Sequence, residues 1–141
     1  MSADAFRDRR AGFSMIEVLV VMIIIAILAA IAIPLYLGQR DRARDAAARA
    51  GGRQIATALL SRVLDSDDED PWPSECNAAT LGVYMVPDQW PDNPFEDGTP
   101  MRTVTSRSVG NFLYQRETSG PQPRPYHLTV FLQKQADFVV P

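Results

Sequence analysis

A chain of 141 residues, 46% hydrophobic and 22% charged, has the balance of a globular protein with one small core. Its net charge of −3 offers no basic footprint for nucleic acid. A single cysteine, Cys76, excludes an intrachain disulfide; one histidine, His127, without a Cys–His spacing or glycine-rich phosphate loop, provides no catalytic constellation. The chain therefore reads as a non-enzyme with no cofactor and no metal.

Residues 1–12 are short and polar, with Arg7, Arg9 and Arg10 set against Asp4 and Asp8. Then comes Gly12-Phe13-Ser14-Met15-Ile16-Glu17, followed by Val18 to Ile33, which contains only Val, Leu, Met, Ile and Ala. Carried on through Leu37, the run would make ~30 Å of helix at ~1.5 Å per residue. That is the hydrocarbon thickness of a bilayer. The run has no polar face, so it is no ordinary core helix. A secretory signal peptide cut after Ala30-Ile31-Ala32 is one reading, but the run exceeds the usual apolar core of such peptides. A plain signal anchor fits the length. Neither gives a use to Glu17, a carboxylate at the front of an apolar segment, where an acid is costly and needs a partner.

Those residues, with Pro34 after them, resemble the N-terminus of the type IV pilins and type II secretion pseudopilins. The resemblance covers about the first 40 residues. It implies that a prepilin peptidase removes 1–12 by cutting after Gly12, that the new N-terminal Phe13 is N-methylated, and that the mature chain polymerises. Glu17 then becomes the fifth mature residue and the assembly residue. The implied partners are copies of itself, the prepilin peptidase/N-methyltransferase, a pilus assembly platform with minor pilins, and the membrane before assembly. The implied location is the inner (cytoplasmic) membrane, single-pass with the C-terminal domain outside, and then an extracellular filament. Arginines flank both ends of the run, with Arg40, Arg42, Arg44 and Arg49 beyond it, so charge alone does not set this orientation.

Elementary chemistry agrees with that reading. A cut after Gly12 frees an α-amine with a pKa of ~7.7–8.0, mostly cationic near neutrality. Between staggered helices, the amine of one subunit can meet Glu17 of its neighbour. A buried pair of this kind fixes register more than it adds stability. Any other stagger leaves an unpaired charge, costing on the order of 3–5 kcal/mol. Lipid tails are about as apolar as aliphatic side chains, so one helix serves both in bilayer and in filament core.

Pro34 lacks an amide for the carbonyl of Ala30 and is expected to kink the helix. The expected organisation is a leader over 1–12, a membrane-spanning and filament-core half-helix over 13–37, and a globular head over 38–141. Residues 39–64 read as an amphipathic helix, with Ala43, Ala47, Ala50, Ile55, Leu59 and Val63 on its apolar face. Asp45 and Arg49 read as a solvated i,i+4 ion pair. Gly51-Gly52 marks a bend or a close helix-to-sheet contact. The acids of 65–70 should end the helix, since negative charge is unfavourable at a helix C-terminus. They do not form a calcium loop, because Asp70 stands where glycine is needed and Cys76 where a bidentate Glu is needed.

Residues 65–79 read as a loop and 80–141 as the sheet region. Strand candidates are 80–86, 101–109, 111–117 and 126–133, with turns at Gly110 and Gly120-Pro121. Leu128, Val130 and Leu132 alternate onto one face. Residues 90–101 (Trp90-Pro91 through Pro100-Met101) resemble the loop before the sheet in major pilins and pseudopilins that lack disulfides. Trp72 and Trp90 read as loop anchors.

The expected fold class is α+β: a pilin-like long N-terminal helix with an antiparallel sheet of three or four strands on its second half. The expected function is a structural subunit of a type IV pilus. The alternatives are a pseudopilin of a type II secretion or DNA-uptake system, and a membrane-anchored extracytoplasmic binding domain.

Overall fold

A computed structural model describes residues 12–67, 71–85, 89–117 and 126–140. Helix α1 spans Met15–Asp65 and contains Pro34. A short helix, α2, covers Ala78–Leu81, and a 3-10 turn follows at Gly82–Tyr84. Three strands complete the order: β1 Phe112–Arg116, β2 Tyr126–Val130 and β3 Phe138–Val140. The chain divides at Gly38 into two units.

The first unit is the apolar start of α1, long and apolar enough to cross a membrane. Its large apolar side chains are all exposed, from 42% at Val18 to 92% at Met15.

The second unit is the head. Its sheet is antiparallel in the order β1-β2-β3, with Phe112 opposite Val130 and Leu128 opposite Val140. The alternation read from the sequence holds: Leu128, Val130 and Leu132 are fully buried, although β2 ends at Val130. They pack with Phe112 and Val140 against Ile55 and Leu59 of α1. Burying side chains of this size contributes about 1.5–3 kcal/mol each. The acids do end the helix, since Asp65 is its last residue.

Four expectations are corrected. The first concerns the buried face of α1. Ile55 and Leu59 are buried and Val63 half-buried, but Ala43, Ala47 and Ala50 are exposed. In their place Asp45, Ala48, Gly51 and Gly52 face the core. Glycine decides this by letting the sheet and loops approach. A Cβ on Gly52 would run into the Val130 side chain, and one on Gly51 would lie 2.6 Å from Met101 Sδ. An alanine face has too little surface to compete with that contact.

The second concerns Asp45, which is not half of a solvated ion pair. It is fully buried and accepts hydrogen bonds from the backbone amides of Gln133, at 2.8 Å, and Lys134, at 3.1 Å. Arg49 instead donates to the Gln135 side chain and lies 6.0 Å over the Phe138 ring.

The third concerns 80–86. Residues 80–84 form helical turns, not a strand, while 86 lies outside the described residues. Asn77 caps α2: its side chain accepts from the Thr80 amide at 3.0 Å, and the Thr80 hydroxyl accepts from the Asn77 amide at 3.1 Å. This reciprocal cap overrides the strand preference of the sequence.

The fourth concerns 101–109, which makes only an isolated bridge, Thr103 with Phe112. The buried Asn111 side chain takes the Arg102 amide at 3.1 Å, so the ladder does not extend. The third strand is β3 instead, too short to show a period.

The loop over 90–101 holds its shape by hydrogen bonds. Buried Asn93 accepts from the Phe95 amide at 2.9 Å and donates to the Val109 carbonyl at 3.3 Å. Gly110, at φ +78°, lies against Asn93 where a Cβ has no room. The indole of Trp90 donates to the Met101 carbonyl, and Trp72 packs on Tyr126 at 4.6 Å between ring centroids. The expected turn at Gly120-Pro121 lies outside the described residues.

Candidate assembly site

Gly12, Phe13 and Ser14 precede α1 in non-helical backbone, and all three are exposed. The Gly12–Phe13 peptide bond therefore carries no helical hydrogen bonding. The helix takes hold just after it, where the Val18 amide donates to the Ser14 carbonyl at 3.2 Å.

Glu17 lies in the first turn of α1. The first amides of a helix have no partner within it and form the positive end of its dipole. A carboxylate there is favoured by the helix itself. This role was not weighed from the sequence, although an acid in a first turn is its ordinary signal.

Phe13, Glu17, Val18, Val21, Met22 and Ile25 line one shallow groove of about 370 Å³. The residue after the expected cut and the acid thus border the same groove. Glu17 is the only polar side chain in that groove. The groove's other residues look like undifferentiated apolar sequence. The repeat of four from Glu17 through Val21 to Ile25 is the feature that sets them on one face.

Pro34 lies 17 positions beyond Glu17, inside α1 and outside this groove. Gly12 touches no other part of the chain at the place where a side chain would project. Of the four residues singled out from the sequence, the structure brings Phe13 and Glu17 together and leaves Gly12 and Pro34 apart.

Such an arrangement offers a surface. An exposed apolar area this long marks a protein–protein or membrane contact. Among the described residues no three of His, Cys, Asp and Glu gather as a metal site. Cys76 is buried, and burial pushes its thiol up to about 12, far from a reactive thiolate.

Comparison with known proteins points to the same surface. The family described as "Prokaryotic N-terminal methylation motif" matches residues 7–33. The chain is 33% identical over 79 residues to the type IV major pilin protein PilA of Myxococcus xanthus, covering 56% of this chain and 36% of PilA. It is 37% identical over 60 residues to the type II secretion system core protein G of Pseudomonas aeruginosa, covering 43% of this chain and 42% of that protein. It is 31% identical over 104 residues to the type IV major fimbrial protein FimA of Dichelobacter nodosus, covering 74% of this chain and 61% of FimA. The chain thus spans between about a third and three fifths of the length of these relatives. No solved structure matches it. The methylation motif at its start, the long helix, the small antiparallel sheet and these relatives together support a type IV pilin or type II secretion pseudopilin.

Proposed function

We propose that the chain is a structural, non-enzymatic subunit of a type IV pilus. It is cut after Gly12 by a prepilin peptidase, N-methylated on Phe13 and polymerised through the apolar half of α1. The single observation carrying this reading is an exposed apolar helix whose first turn holds one acid, in a groove that Phe13 also lines. The open backbone at Gly12–Phe13 suits a peptidase, which needs an extended, accessible segment.

Before assembly the helix lies in the cytoplasmic membrane with the head outside. The Phe13 amine of one subunit then meets Glu17 of a neighbour and sets the stagger. Pro34 supplies a point where the helix bends on leaving the core, because the Ala30 carbonyl has no amide partner there. An assembly platform and minor pilins complete the machinery.

A second reading, a pseudopilin of a secretion system, is favoured by the 37% identity to protein G. The mature N-terminus separates the filament readings from the rest. N-terminal sequencing or intact mass of the membrane-extracted chain is expected to show methylated Phe13. Met1 or Ser2 would indicate a plain anchor, and Ile33 ordinary secretion. Shearing cells then separates pilus from pseudopilus: a pilus releases this chain as the bulk of its fibres.

A further inference from the structure

Charge is divided along the chain. Residues 38–53 carry five arginines and two aspartates, whereas residues 54–141 carry six basic and 12 acidic residues. Positive charge thus gathers directly beyond the apolar run, and the rest of the head is acidic.

The fold sharpens that division. Both aspartates of 38–53 are taken up by the loop after β2. Asp45 is buried under the Gln133 and Lys134 amides, and Asp41 pairs with the Lys134 ammonium at 3.6 Å. The Arg44 guanidinium lies 5.8 Å over the Phe95 ring. Arg40 and Arg42 stay exposed, and no carboxylate among the described residues lies within ion-pair distance of either. At ~100° per residue they project ~160° apart around the helix. They form a collar, not a patch.

Their place in the chain suits one ligand. The apolar run ends at Leu37, just after Tyr36, a ring of the kind that sits at a membrane–water interface. The headgroup layer beyond the hydrocarbon is ~5–8 Å deep, or ~3–5 residues of helix. Arg40 and Arg42 are the third and fifth residues past Leu37. A guanidinium fork grips phosphate oxygens with two parallel hydrogen bonds. A folded protein would dock on one side of the helix, whereas a lipid layer meets every side.

We propose that Arg40 and Arg42 bind the phosphates of anionic phospholipids in the membrane that the apolar run spans. The inference rests on the membrane-bound stage of the proposed function and on nothing later. The collar fixes the depth of the span, and like charge holds the acidic head off the bilayer.

The test uses the full-length chain reconstituted into phosphatidylcholine vesicles with a trace of spin-labelled phosphatidylglycerol or spin-labelled phosphatidylcholine. The motionally restricted part of the spectrum reports which lipid stays against the protein. Phosphatidylglycerol is expected to be preferred about threefold or more at low salt, and Arg40→Gln with Arg42→Gln to cut that preference at least about twofold. Arg53→Gln with Arg102→Gln removes equal charge farther off, Arg53 being ~17 Å of helix beyond Arg42. This control is expected to keep the parental preference, and both variants retain Arg7, Arg9 and Arg10. Parental preference after the Arg40 and Arg42 changes overturns the proposal. So does an equal fall in the control, which would report bulk charge. Inorganic phosphate is expected to act no more strongly than sodium chloride of the same ionic strength; a loss specific to phosphate marks a free-anion site and overturns the lipid assignment. A chain that alkaline carbonate strips from the vesicles does not span them, which removes the membrane reading and the collar together. Stable insertion without lipid preference removes the collar alone.

Discussion

The carboxylate of Asp45 accepts a 2.8 Å hydrogen bond from the backbone amide of Gln133, 88 positions further along the chain. A second bond, from the Lys134 amide, reaches the other carboxylate oxygen. Between them they fasten the β2–β3 loop to the helix. Other ties reach the same loop: the Arg107 guanidinium donates to the Leu132 carbonyl and pairs with Asp137 at 3.2 Å. A chain with one cysteine has no cystine to close this end, and a buried carboxylate does so.

Asp45→Ala removes both acceptors and leaves two amides buried without partners. The expected loss is about 2–4 kcal/mol of head stability, given the strength of hydrogen bonds to charged groups. Asp45→Asn keeps one acceptor oxygen and is expected to lose about half as much. Urea unfolding of the detergent-solubilised chain, followed by the fluorescence of Trp72 and Trp90, measures both. Equal midpoints for Asp45→Ala and the parent would show that the fastening contributes nothing.

Gly52→Ala tests the close approach of helix and sheet. In an open helix the substitution stabilises by about 1 kcal/mol. Here the new methyl meets the Val130 side chain. Overpacking of this kind costs about 1–3 kcal/mol, so the expected sign is reversed or the gain cancelled. Gly38→Ala, with nothing near its added Cβ, is the control and is expected to stabilise or stay neutral. A rise in the urea midpoint of about 1 kcal/mol for both variants would contradict the packing account.

Burial holds the Cys76 thiol at about 12 in the folded head, above its ordinary value. Above the ordinary thiol pKa the unfolded chain has lost its proton while the folded chain keeps it. Stability therefore falls as pH rises from about 9 towards 12, by up to about 1.4 kcal/mol per pH unit. Cys76→Ala flattens this slope. Unfolding midpoints between pH 8 and 10.5 give the comparison. A thiol alkylating reagent at pH 8 is expected to leave Cys76 unmodified until urea unfolds the head.

Glu17→Ala is expected to leave membrane insertion unchanged and to reduce sheared fibre at least tenfold. The apolar run, not the acid, carries insertion, and an unpaired α-amine in the core costs on the order of 3–5 kcal/mol. Membrane fractionation and a fibre assay on the same cells read both quantities. Parental fibre yield from Glu17→Ala would remove the acid from assembly.

The candidate site was legible in the sequence because its chemistry is local. A helix start, one acid in its first turn and an unbroken aliphatic run are all set by neighbours within a few positions. The same holds for the end of α1 at Asp65, for the turn at Gly110 and for the inward alternation of Leu128, Val130 and Leu132. Asn77 and Thr80 also form a local cap; the Thr80–Val86 composition hid it, because β-branched and aromatic residues suit a strand equally well.

What the tertiary structure alone decided was which side of α1 turns inward after Gly38. The alanine pattern pointed one way. The amides of Gln133 and Lys134, 88 and 89 positions beyond Asp45, and the side chain of Val130 selected another. A helix does not contain its own partner. An alanine row gains little by burial, and Gly51 and Gly52 permit an approach that no periodicity records. Whether Asp45 is solvated or buried follows from where those distant amides arrive, so only the folded chain could show it.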